Sequence, residues 1–98
     1  MARLLVFVNI FVESLSLDDV TQALCQFPNV EELFQVTGEF DLVALVSAAS
    51  IEEFRDFLKY KILKIKGIRS TITSVVFNAT KGPRNWTSPE ADRPIASH

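Results

Sequence analysis

Few residues in this chain are of a type that could carry covalent chemistry, and they do not stand together. The one cysteine, Cys25, has no histidine or neighbouring base to raise its nucleophilicity. The one histidine is the C-terminal His98. No group of His, Cys, Asp and Glu shows metal-ligand spacing, and no cofactor is called for. A catalytic role would rest on Asn9 and Tyr60 alone. Two carboxylates have a better-defined setting. Glu39 and Asp41 lie at the turn of Val30–Val46, VEELFQVTGEFDLVALV. There Gly38 offers the positive φ that a type II′ turn needs between two β-prone runs. The pattern predicts antiparallel strands Val30–Thr37 and Phe40–Ser47 joined at Gly38-Glu39. Within it Asp41 is suited either to bond backbone near the turn or to face a ligand.

Composition narrows the functions these groups can serve. At 98 residues the chain makes one domain with room for a core. Its hydrophobic fraction of 48%, with a mean hydropathy of +0.21, is high for so short a chain and points to surface buried against another subunit. Over residues 1–80 there are seven basic and ten acidic side chains, so no basic field for nucleic acid exists. A lone cysteine makes no internal disulfide, and a reducing cytoplasm is expected. The opening MARLLVFVNIFV is broken by Asn9, runs into Glu13 and lacks a small-residue cleavage site, so it reads as a strand rather than a signal peptide. It is also far short of the ~20 apolar residues of a membrane span.

The elements that must position these groups follow from periodicity. Arg3–Val12 is β-prone and apolar on both faces, with Leu4, Val6, Val8, Ile10 and Val12 on one and Leu5, Phe7 and Phe11 with Asn9 on the other. Ser16 reads as an N-cap, with Leu15 and Val20 spaced as a hydrophobic staple, and Leu17, Val20, Leu24 and Phe27 follow at helical spacing until Pro28. Ser50-Ile51-Glu52-Glu53 is a capping box that opens a second helix, whose core stripe is Ile51, Phe54, Leu58, Ile62 and Ile65 and whose stop is Gly67. Arg69–Asn78 is a last strand. Residues 80–98, with three prolines and no periodicity, read as a flexible tail in which Trp86 stays free. The order β-α-β-β-α-β is the split βαβ, ferredoxin-like α+β pattern: a four-stranded antiparallel sheet with two helices on one face. Two helices cover only one face, and the other, being apolar, is expected to dimerise.

With this order in place, the sequence resembles the ligand-binding and oligomerisation (RAM) domain of the Lrp/AsnC transcription regulators. Val36-Thr37-Gly38-Glu39-Phe40-Asp41-Leu42 is similar to that family's V-x-G-x-[YF]-D pattern. Leu63–Ile68 and Thr71–Phe77 are similar to its last helix and strand, and the resemblance runs over roughly residues 3–79. It implies a domain at 1–79 and a stand-alone protein without the helix-turn-helix reader. It also implies dimers formed sheet to sheet, assembled as octamer or decamer rings. An amino acid or related effector would then bind between dimers. Carried over by position, the ligand candidates are Thr37, Gly38, Glu39, Phe40 and Asp41 in the hairpin and Thr73 and Ser74 in the last strand. Asp41 or Glu39 would receive an ammonium group, and loop N–H groups with the Thr73 or Ser74 hydroxyl would receive a carboxylate.

These features predict an effector-sensing module that acts on transcription through Lrp/AsnC-type partners, without touching DNA or a membrane itself. The alternative is a dimeric α+β-barrel enzyme, monooxygenase-like, with a pocket between sheet and helices. A ligand-free structural oligomer is the third reading.

Overall fold

The computed structural model describes residues 3–81. The elements come in the expected order: β1 (Leu4–Val12), α1 (Leu17–Cys25), β2 (Val30–Gln35), β3 (Leu42–Ala48), α2 (Ile51–Phe57) and β4 (Ile68–Val75). They form one antiparallel sheet in the order β2-β3-β1-β4. The central strands are β1 and β3, the two richest in apolar residues. A strand buried on both edges and covered on one face needs side chains that tolerate burial, and these segments supply them.

Strand alternation divides β1 as its sequence suggests. Val6, Val8, Ile10 and Val12 point to the helices and join Leu42, Ala44, Val46, Val20, Leu24, Phe54 and Ile62 in a closed core. The edge-to-face pair Phe27–Phe57, with ring centroids 5.3 Å apart, packs where the two helices meet. This interior occupies the space that the enzyme alternative would have needed for its pocket.

Four local expectations are corrected. The β2–β3 ladder stops at the pair Gln35–Leu42, short of the predicted strand ends, although the register is the one a turn at Gly38-Glu39 imposes. The register then slips between Val30 and Glu32, a bulge the sequence does not announce. Before α1 the chain makes a 3-10 turn, Ser14–Ser16, so Ser16 forms no side-chain cap and Leu15 stands 100% exposed rather than stapled to Val20. The second helix is not uniform. Ser50 caps it as predicted, its Oγ accepting from the Glu53 N–H at 3.1 Å, but a π turn over Leu58–Ile62 replaces the α continuation, closed by Leu63 N–H on the Leu58 carbonyl at 2.9 Å. Phe54, Leu58 and Ile62 are four apart and on an α-helix would drift by about 40° per step. The wider π turn takes up that drift and returns Ile62 to the core. The last strand begins one residue earlier than predicted and ends at Val75. The predicted tail, with Trp86, lies outside the described residues apart from Thr80 and Lys81.

Candidate functional site

The β2–β3 connection is a small loop with a hydrogen-bonded base. The Val36 N–H donates to the Asp41 carbonyl at 3.1 Å, and Gly38 takes φ +110°, the positive value that a side chain would resist. Thr37, Gly38 and Glu39 are exposed at its tip. Phe40 and Asp41 turn back onto β1. The Phe40 ring packs on Phe11, centroids 4.9 Å apart and planes tilted by 56°. The Asp41 N–H donates to the Ile10 carbonyl at 3.0 Å, and its carboxylate accepts from the Val12 N–H at 2.7 Å. That second bond is short and charge-assisted. It falls two residues past the last β1–β3 pair, Ile10–Leu42, and so satisfies an amide beyond the end of that ladder. Asp41 therefore bonds backbone 29 residues away on the neighbouring strand.

Hydrogen bonding continues one residue on, where the Glu13 N–H donates to the Gly67 carbonyl at 2.9 Å. Loop base, end of β1 and the turn into β4 are thus joined at one end of the sheet.

Thr73 and Ser74 lie across β1 from this loop. Thr73 pairs with Val8 and belongs to the helix side; Ser74 pairs with Phe7 and belongs to the open side. Two strand spacings, roughly 10 Å, separate β4 from β3. The seven candidate residues thus divide among an exposed tip (Thr37, Gly38, Glu39), a base engaged with β1 (Phe40, Asp41) and two opposite sides of β4. Within one protomer they do not converge on one pocket.

The open side of the sheet carries a feature that residue types alone did not single out as a site. Its rows run Phe34–Val43–Asn9–Ile72, then Glu32–Leu45–Phe7–Ser74, then Ser47–Leu5–Val76. After β4 the chain folds back over Leu5 and Leu45, burying both with Val76 and Ala79, and leaves a groove of about 370 Å³ bordered by Phe7, Ser74 and Phe77. The apolar odd-numbered residues of β1 were the signal for it. Asn9, the polar member of that side, donates to the Ile72 carbonyl at 3.4 Å. At the far end Glu31 accepts from the Ser47 hydroxyl at 2.6 Å and lies 3.5 Å from the Arg3 guanidinium.

A split-βαβ sheet with an apolar open face, and a glycine loop held to its central strand, defines a small ferredoxin-like α+β domain. The chain belongs to the Lrp/AsnC family: the model of the Lrp/AsnC ligand binding domain matches residues 5–86. It is 32% identical over 79 residues to the HTH-type transcriptional regulator PH0140 of Pyrococcus horikoshii, covering 81% of this chain and 50% of the regulator. It thus spans about half the length of that curated relative. The crystal structure of TTHA0845 from Thermus thermophilus superposes with a TM-score of 0.74 at 34% identity, over 83% of this chain and 99% of that one. A feast or famine regulatory protein (Rv3291c) from M. tuberculosis, complexed with L-methionine, superposes with a TM-score of 0.70 at 30% identity, over 83% of this chain and 54% of that one. The family is one of ligand-binding domains of transcription regulators, not of enzymes, which removes the barrel-enzyme alternative. Among the described residues no helix is long and apolar enough to cross a membrane.

Proposed function

We propose that this domain binds an amino acid or a closely related small molecule at the Gly38 loop and, as a homo-oligomer, acts on transcription through Lrp/AsnC-type partners that contact the DNA. The observation that carries the reading is the loop itself. Its tip is exposed while its base is fixed to β1 through Asp41 and Phe40. A preorganised tip loses little freedom when a ligand closes on it. The L-methionine complex of the M. tuberculosis regulator supports the ligand class.

The geometry also redistributes the roles. Asp41 already accepts from Val12, so the exposed Glu39 is the better partner for a ligand ammonium group, with Thr37 beside it. Because the loop and β4 lie on opposite sides of β1, a ligand touching both draws them from different protomers, which fits a site between subunits. The open face, with Phe7, Phe34 and Ile72 each half-exposed, supplies the contact for the underlying dimer.

The test is thermal unfolding of the full chain with each common amino acid in turn, L-methionine first. A saturable rise in Tm with one of them, weakened by Glu39→Gln and by Thr37→Val, is the expected result. Both side chains are exposed, so neither change should unsettle the fold. Flat traces for every amino acid would leave the structural-oligomer reading in its place.

A further inference from the structure

The outward side of α2 and its π turn holds charges and apolar groups that the effector site and the sheet face leave unused. Glu52, Glu53 and Asp56 stand in its first half around one base, Arg55, which leaves that half net acidic, and Lys59, Lys61, Lys64 and Lys66 stand in and after its second. All eight are exposed, and among the described residues none is in an ion pair. The macrodipole favours acids first and bases last. The same order leaves Glu52 beside Asp56 and Arg55 beside Lys59, like charges four apart that repel. Dipole preference also says nothing about the apolar groups set among them. Tyr60 is 56% and Leu63 48% exposed, on the side away from the buried Phe54 and Ile62. Lys59 Nζ lies 5.3 Å from the centre of the Tyr60 ring. Beside them a shallow depression of about 510 Å³ runs from Glu52 and Asp56 to Lys59 and Tyr60.

We propose that this face joins two copies of the chain, α2 lying antiparallel on α2 of the second copy about a two-fold axis near Phe57 and Leu58. A helix that is acidic at one end and basic at the other is complementary to itself only when reversed, and a two-fold axis performs that reversal. Each acidic half then meets a basic half, and Tyr60 and Leu63 of each copy cover the depression of the other. An apolar centre inside a charged rim is how protein contacts are built, with tyrosine a frequent anchor. A nucleic acid fits less well, since its phosphates would oppose Glu52, Glu53 and Asp56 and leave Leu63 wet.

The surface is small. Twelve helical residues span about 18 Å, less than a standard interface of about 800 Å² per partner requires. Such a contact is weak alone and is screened by salt. It acts as the second valence that links dimers already held through the sheet face, so it extends the oligomer reading above.

Light scattering of the full chain at low and high salt tests it. At low salt the mass should exceed a dimer of the 11.0 kDa chain, and at high salt it should fall at least twofold. Lys59→Glu with Lys64→Glu should give a dimer at both salts. Adding Glu52→Lys and Asp56→Lys to that variant restores complementarity and should restore the larger species. Because the swapped charges oppose the dipole, Tyr60→Ser with Leu63→Ser serves as a second variant with the charges intact, and it too should lose the larger species. Circular dichroism confirms that each variant is folded. A wild-type mass that never exceeds a dimer, one that ignores salt and charge reversal, or a reversal that the full swap does not rescue in a folded protein would overturn the proposal. If the sheet-face dimer were wrong instead, the high-salt species would be a monomer.

Discussion

Gly38 and Gly67 share a backbone region, with φ of +110° and +104°, yet the two positions ask for glycine on different grounds. A Cβ at Gly38 would meet nothing within 4 Å, so Gly38→Ala carries only the backbone cost, about 1 kcal/mol. A Cβ at Gly67 would lie 2.4 Å from Ser16 Cβ and 3.2 Å from Val20 Cγ2, on top of the same strain. Gly67→Ala should therefore lower the stability several-fold more than Gly38→Ala in urea unfolding. Ser16→Gly should return part of the difference; equal losses would mean that the approach of Ser16 is relaxed in solution. Asp41 makes a comparable case. Removing its carboxylate leaves the half-buried Val12 amide unpaired, and Asp41→Ala should cost about 1.5–3 kcal/mol, as hydrogen bonds to charged groups do. Asp41→Asn, whose amide oxygen still accepts, should recover roughly half. The turn glycine and the Asp were both readable from VTGEFD. The partner of Asp41 was not, because a bond to Val12 depends on which strands become neighbours.

Secondary-structure signals succeeded where the chain satisfies itself locally and failed where tertiary packing decides. Ser50 and Ser16 look alike in sequence, each a serine with an acid three residues on, but only Ser50 caps. Its backbone is extended, with φ −155° and ψ 168°, as a capping residue requires. Ser16 follows a 3-10 turn with ψ near 0° and has its side chain against Gly67 instead. Ser50→Ala should accordingly cost about 1 kcal/mol, while Ser16→Ala should leave the unfolding midpoint almost unchanged. A loss at Ser16 as large as that at Ser50 would show a cap forming there in solution. Leu15→Ser, at a side chain wholly in solvent, should be silent as well. The hairpin register was legible because a glycine at the turn sets it and the alternation of Leu42, Ala44 and Val46 enforces it. The π turn was not, since the four-residue spacing of Phe54, Leu58 and Ile62 reads equally well as a continuous helix, and only the packing of Ile62 into the core selects it.

On the scale of the whole molecule, the decisive feature is that β1 is apolar on both sides in a domain whose helices cover one. The helix side is closed, and the open side leaves Phe7 40%, Phe34 49% and Ile72 51% exposed around a groove that the chain only partly covers. Completing the burial of three such side chains is worth about 2–4 kcal/mol by area, on the scale of 1.5–3 kcal/mol for a whole large apolar residue. That is a contribution to the proposed association rather than the whole of it, so the half-buried Val43 and the exposed, groove-lining Phe77 should share in the contact. One charge in the middle of the face should then be enough to break it. Phe7→Asp places a carboxylate between Leu45 and Ser74, where pairing would bury it twice across a two-fold axis. The variant should remain folded, because Phe7 lies outside the closed core, and should run as a monomer at every salt concentration. Glu31→Gln, at the rim of the same face and held by Ser47 and Arg3, should leave the mass unchanged. If Phe7→Asp stayed dimeric while Tyr60→Ser with Leu63→Ser became monomeric, the primary contact would be the helix face and the sheet face the secondary one, and the order of assembly would be reversed.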